Sequence, residues 1–289
     1  MSITASQVKE LREQTGAGMM ECKKALVESD GDMQAAIEHL RKSGLAKADK
    51  KSARVAAEGV IVHASEGNRT VLVEINSETD FVAKDDNFRA FAEEVAGLAV
   101  GHDSVEALNE ATFSDGNSVE EARKKLVAKV GENVQVRRLV HMDAGDGVVA
   151  CYIHGGRIGA MVGLEGGDEE LARDIAMHIA ALNPAYRDAA DVPEEETRKE
   201  KDVLIAQAQD SGKPADIIEK MVTGRLNKRL AEITLTGQPF VKDGDITVGK
   251  LLKSKGASVR EFTRLEVGEG IEKSEDDFAA EVMQQARGG

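Results

Sequence analysis

Six histidines and two cysteines are the side chains from which a catalytic or metal centre would first be built. His39, His63, His102, His141, His154 and His178 nowhere show the i, i+3 or i, i+4 spacing that puts two ligands on one helix face. Cys22 and Cys151 lie far apart, form no CxxC unit and fit a reduced intracellular thiol pair. No HExxH or GxSxG motif occurs. We therefore assign no catalytic residue and no metal ligand, and expect no cofactor. Gly244 to Lys250 satisfies GxxxxGK, but Leu251 stands where a phosphate loop needs the Ser or Thr hydroxyl that holds Mg²⁺. That segment reads as a turn leading into a helix.

The most informative stretch is Asn76-Ser77-Glu78-Thr79-Asp80-Phe81-Val82-Ala83-Lys84. It follows a strand pattern, precedes a helix pattern, and sets two apolar residues among polar ones. Two readings fit. Phe81 or Val82 packs back onto the following helix as a hydrophobic staple, or the pair forms an apolar wedge beside a carboxylate, aimed at a partner.

The elements around this stretch follow from periodicity. Residues 4 to 43 read as three short helices: Thr4 and Gln7 make a capping box, Gly18 opens the second, and Gly44 stops the third. Arg41, Lys42, Lys47, Lys50, Lys51 and Arg54 make 41–54 basic, as a solvated linker or a helix extension. From residue 57 the period becomes that of strands. Val60 and Val62, then Val71, Val73 and Ile75, flank Glu66-Gly67-Asn68 as a hairpin. A helix from about Asp86, another from Val119 to Val130 capped by Gly131, and a strand from Val134 complete the first half. A second hairpin over Val148–His154 and Ile158–Leu164, a helix over Leu171–Leu182 and a strand near Val259–Val267 repeat that order. Lys125-Leu126…Gly131…Val134 and Lys250-Leu251…Gly256…Val259 match in spacing. Pro193 opens an inserted helical hairpin, and Phe278, Val282 and Met283 mark a closing amphipathic helix.

The expected fold is α+β: an N-terminal three-helix bundle, a duplicated core of two small antiparallel sheets with flanking helices, an inserted antiparallel helical hairpin and a C-terminal helix. The expected divisions are 1–54, the bundle with its basic linker; 55–146, the first core subdomain; 147–192 with 231–267, the second; 193–230, the hairpin; and 268–289, the C-terminal module. Apolar residues at 41% can fill such a core, but aromatics are only 3%, so it must be built from aliphatic side chains. The net charge of −14 works against broad binding to nucleic acid or to anionic membranes. No apolar run approaches the ~20 residues of a membrane span. The N-terminus shows no signal pattern, and a cytoplasmic location is expected.

Thr79-Asp80-Phe81-Val82 resembles the signature loop of the elongation factor Ts family. The run from Leu11 to Leu26, LREQTGAGMMECKKAL, resembles a second family signature, and His154-Gly155-Gly156-Arg157-Ile158-Gly159 a third. Leu235-Thr236-Gly237-Gln238-Pro239-Phe240 and Phe278-Ala279-Ala280-Glu281-Val282 are similar to two more. The five stand in order along the whole chain, which is far more specific than any one alone. The region from about Gly101 to Gly147 departs most from the family's wording.

That resemblance implies a bundle like a ubiquitin-associated domain and a helical hairpin used for dimerisation. It implies a guanine-nucleotide exchange factor without covalent chemistry. Such a factor binds elongation factor Tu carrying GDP, disturbs its Mg²⁺ site through Thr79, Asp80, Phe81 and Val82, promotes GDP release and lets GTP rebind. Further contacts with elongation factor Tu would fall on Arg12, Met19, Met20, Lys23, Gly131 and His154. Neither direct nucleic-acid binding nor membrane binding is implied. The resemblance leaves open whether residues 193–230 make a homodimer or only an assembly with the GTPase. Two rival readings are an enzyme with His154 as base, for which no nucleophile–base–orienter set is visible, and an RNA-binding accessory using 41–54, for which two tyrosines offer few stacking rings.

Overall fold

The computed structural model describes residues 3–209 and 214–272, and the fold is α+β with small antiparallel sheets. Two compact units divide it: residues 3–65, 71–141 and 265–272 form the first, and 66–70, 142–209 and 214–264 the second. The expected closing helix at Phe278, Val282 and Met283 lies outside the described residues.

The first unit opens with α1 (Ala5–Thr15), α2 (Met19–Glu28) and α3 (Met33–Lys51). Thr4 and Gln7 form the capping box on α1, and Gly18 caps α2. Val8, Leu11, Cys22, Ala25, Leu26 and Ala36 make a small buried core. The third helix does not stop at Gly44. It runs to Lys51, and a Cβ on residue 44 would lie only 3.1 Å from the Cβ of Ala128. Glycine costs roughly 1 kcal/mol inside a helix, but any side chain here would press on Ala128. The basic stretch is thus largely a helix extension, with Ala48 buried and Asp49 paired to Lys124 at 3.0 Å.

Next come β1 (Glu58–Glu66), β2 (Arg69–Ser77), α4 (Asp80–Ala83), α5 (Asp86–Ala99), α6 (Val105–Asn109), α7 (Val119–Val130) and β3 (Val134–Asp143). The strands pair in the order β1-β2-β3. Val71, Val73 and Ile75 meet Phe88, Phe91, Ala92, Val95 and Ala99 of α5, and Leu126 and Val127 of α7, in one buried core. The short helix α6 is too brief to leave a periodic trace, and only its Ser104 cap and buried Leu108 mark it.

The second unit holds β4 (Val148–His154), β5 (Ile158–Glu165), α8 (Glu169–Leu182), α9 (Glu194–Gln209), α10 (Ala215–Ile233), β6 (Pro239–Phe240), β7 (Asp243–Thr247), α11 (Val248–Ser254) and β8 (Ser258–Glu266). Strands β4 and β5 pair antiparallel from Val148↔Leu164 to His154↔Ile158, and the sheet order is β4-β5-β8. Each three-stranded sheet therefore takes its third strand after a helix and a left-handed glycine, Gly131 at φ 83° and Gly256 at φ 63°. Helices α9 and α10 close on each other through Leu204, Ala208 and Val222. Gly244 lies inside strand β7 and not in a turn, so the GxxxxGK window is a strand running straight into α11. His178 is buried. Its Nδ1 accepts the Val241 N–H at 3.1 Å, which leaves Nε2 to donate to Gln238 Oε1 at 3.0 Å. Burial also pushes its pKa down despite Gln238, so the neutral ring stitches β6 to α8.

One buried charge organises the first unit. Glu74 on β2 has no exposed surface, and it takes hydrogen bonds from Arg137 at 2.9 Å, Arg138 at 2.6 Å and the Gly268 N–H at 2.8 Å. Burial alone would raise its pKa, but Gly268, Asn76, Arg137 and Arg138 outweigh it and hold the carboxyl below its ordinary value of 4.5. A depressed carboxylate stabilises the fold above that value, and the contribution is lost as pH falls through it toward the folded pKa. Glu74→Gln should therefore cost about 2–3 kcal/mol at pH 7, since it removes the buried carboxylate that Arg137 and Arg138 both bond and leaves Arg138 only its longer carboxylate contact, with Glu269 at 3.4 Å. Urea midpoints measured from pH 7 to pH 3 should fall less steeply in the variant than in the parent. Parallel curves would show that Glu74 contributes nothing through its charge.

Candidate functional site

Strand β2 ends at Ser77, and the chain turns within two residues into α4. Thr79 makes that turn. Its backbone is extended (φ −121°, ψ 159°), and its hydroxyl accepts the Val82 N–H at 3.4 Å as an N-cap. Ser77 donates its hydroxyl to the Thr79 carbonyl at 2.9 Å. Asp85 then caps α5, accepting from Asn87 N at 2.9 Å and Phe88 N at 3.3 Å, and Phe88 anchors the new helix in the core. Two helix starts six residues apart leave α4 a single turn long.

Neighbouring residues in a helical turn point about 100° apart, so Phe81 and Val82 cannot share an environment. Val82 is 8% exposed and packs with Ala83 into the core of the first sheet. Phe81 is 79% exposed. The staple and the projecting ring are both present, divided between adjacent residues. Leaving the ring in water forgoes roughly 1.5–3 kcal/mol of burial. Asp80, beside it, pairs with Lys84 at 2.6 Å on the exposed flank of α4.

The loop is held from behind by the segment joining α7 to β3. Thr79 N–H donates to Glu132 Oε2 at 2.9 Å, and Thr79 Oγ1 donates to Glu132 Oε1 at 2.7 Å. Glu78 accepts the Asn133 N–H at 2.6 Å and pairs with Arg54 at 3.4 Å. Asn133, fully buried, donates from Nδ2 to the carbonyls of Arg54 at 2.7 Å and Ser52 at 3.3 Å. Gly131 takes the left-handed cap of α7, where a side chain would be strained, and its carbonyl accepts from Lys51 Nζ. Glu132 and Asn133 carry no local signal in the sequence, and Glu78, Lys51 and Arg54 stand out there only as members of the loop and of the basic stretch. Their roles depend on pairing across more than fifty residues, which no local pattern signals.

The profile of the family described as Elongation factor TS matches residues 78–269, starting inside this loop. The chain is 60% identical to Elongation factor Ts of Alkalilimnicola ehrlichii and 61% identical to that of Thioalkalivibrio sulfidiphilus, each over 100% of both chains. It is 59% identical to Elongation factor Ts of Xanthomonas oryzae pv. oryzae over 99% of both.

The chain belongs to the elongation factor Ts family. Membership implies nucleotide exchange on elongation factor Tu during translation elongation. Of the further residues that the elongation factor Ts resemblance picks out, Arg12, Met19, Met20 and Lys23 are all exposed on α1 and α2, with Met20 at 74%. Gly131 adjoins the loop through Glu132. His154 belongs to the second unit, at the end of β4, where its ring stacks on Tyr152 at 6.2 Å and meets the Tyr152 hydroxyl at 3.3 Å. Burial pushes the Cys151 thiol up to about 12, which keeps it protonated and a poor nucleophile. Among the described residues no group of three or more His, Cys, Asp or Glu side chains could hold a metal, and no helix is long and apolar enough to cross a membrane.

The division of labour between adjacent residues has a measurable consequence. Val82→Ala should lower unfolding free energy by about 1–2 kcal/mol through lost packing. Phe81→Ala should leave it within about 0.5 kcal/mol, as for other exposed positions. Chemical denaturation of both variants checks this, and a large loss at Phe81 would mean that the ring supports the fold.

Proposed function

We propose that the Thr79–Val82 loop is the exchange element, with Phe81 as a wedge that enters elongation factor Tu and disturbs its Mg²⁺ site. A GTPase grips its nucleotide through phosphate contacts and a Mg²⁺ that neutralises phosphate charge. A factor that binds the nucleotide-free form more tightly must weaken nucleotide affinity by the same ratio. It therefore needs contacts available only in a distorted GTPase. An aromatic ring held ready in water supplies one, because its burial is gained only when the partner opens. The single observation that carries this reading is the 79% exposure of Phe81 between Thr79, which Glu132 holds, and the buried Val82.

Asp80 suits the anchoring role. Its pair with Lys84 is an exposed i, i+4 contact, a type worth only about 0.3–0.5 kcal/mol, and is readily exchanged for a cationic group on the partner. The wedge is too small to drive exchange alone. Arg12, Met19, Met20 and Lys23 on the bundle, Gly131 beside the loop and His154 on the second unit would supply more of the interface. Methionine suits such an adaptable contact. The three-helix bundle then serves as a ubiquitin-associated-like docking module, and the two sheets as related subdomains, each with its own core. Helices α9 and α10 pack Leu204, Ala208 and Val222 against each other and leave Val203 and Ile217 exposed, which suits self-association. GDP leaves, GTP rebinds and displaces the factor, with no covalent step on this chain.

Phe81→Ala should lower the maximal rate of fluorescent-GDP release from elongation factor Tu by roughly 10- to 150-fold, the equivalent of one buried aromatic ring. Asp80→Ala should have a smaller effect in the same direction. Stopped-flow release at saturating factor measures both. Rates equal to the parent's for both variants would sink the wedge role.

A further inference from the structure

We propose that Glu132 is a positioning residue for exchange, acting on Phe81 through Thr79; this rests on the wedge reading above. Glu132 spends both carboxylate oxygens on one residue, taking the Thr79 N–H at 2.9 Å and the Thr79 hydroxyl proton at 2.7 Å. The second bond fixes the hydroxyl rotor. With its proton committed to Glu132, Oγ1 turns a lone pair to the Val82 N–H at 3.4 Å and starts α4. A carboxylate is suited to this because it only accepts. The direction of Phe81, two residues beyond Thr79, follows from where that turn begins.

The platform carrying Glu132 is itself anchored independently of the ring. Lys51 grips the carbonyl of Gly131 on one side. On the other, Asn133 is tied to Glu78, Arg54 and Ser52. Val82 and Ala83 are packed into the core on the far side of the turn. Removing Glu132 therefore frees the N-terminal start of α4 while its buried side stays in place. The ring would then sample several directions, and each binding event would have to select one.

The test uses the full chain and elongation factor Tu loaded with fluorescent GDP. Release rate is followed against factor concentration, so that the plateau and the half-saturating concentration are read separately. Glu132→Ala should lower the plateau roughly tenfold, the scale of a lost hydrogen bond to a charged group, with half-saturation moved less than about threefold. Glu132→Gln, whose carbonyl can still accept the Thr79 N–H, should recover part of the plateau. Adding Glu132→Ala to Phe81→Ala should lower the rate no further than about twofold, because a misdirected ring that is absent costs nothing.

A role in folding alone would reduce the active fraction, raising half-saturation and leaving the plateau intact, and that result overturns the proposal. So does a double variant that loses the product of the two single effects. A fall with Phe81→Ala but none with Glu132→Ala removes the positioning role and spares the wedge. No fall with Phe81→Ala removes both.

Discussion

Holding one aromatic ring in water is the constraint that the elements around the loop meet. A phenylalanine at a strand-to-helix bend would ordinarily fold back and gain roughly 1.5–3 kcal/mol of burial. Here that route is closed. Val82 and Ala83 already fill the space beneath α4, and the cap at Thr79 fixes the phase of the turn. The ring is outside because its neighbour is inside. The Thr79–Glu132 bonds hold the turn in the phase that makes this so.

The same constraint explains the elements behind the loop. Helix α3 carries the chain past Gly44 to Lys51, and its end delivers Lys51, Ser52 and Arg54 to the segment after α7. Of the two readings of the basic stretch, solvated linker or helix extension, the helix extension holds for most of it, with Lys51 and Arg54 making contacts within the unit. Glu74 does comparable work within β2, three residues before its end. It takes a buried charge into the sheet and satisfies it with two arginines and the Gly268 N–H, which ties the residues after β8 to the sheet. Such a buried carboxylate stabilises only while it stays paired.

Periodicity made the elements legible where each had a long apolar face or a sharp stop. The second hairpin, α5, α8 and the glycine after α7 are where spacing and turn residues put them. Gly44 misled because it sits within α3 facing Ala128, a residue eighty-four positions away, and not at a helix end. Gly244 misled for a different reason, since strand pairing between β6 and β7 overrides a turn-like composition. The α+β class was readable from the change of period, and the loop from its odd mix of polar and apolar residues. Residue pattern alone left open which of Phe81 and Val82 faces outward, which only the family resemblance pointed to, and it gave no sign that Glu132 secures the turn. Both depend on pairing between distant segments.

Rigidity at the loop bears on how an exchange factor can act at all. Binding energy used to order a floppy segment is unavailable to distort a partner, at about 0.5–1.5 kcal/mol for each mobile side chain. A wedge of one ring has about 1.5–3 kcal/mol to offer, so ordering even two side chains on contact would consume most of it. Fixing the turn beforehand with a two-bond carboxylate clamp moves that cost into folding, where it is met by the buried core around Val82, Ala83 and Phe88. For the proposed wedge, then, the clamp behind the ring matters as much as the ring.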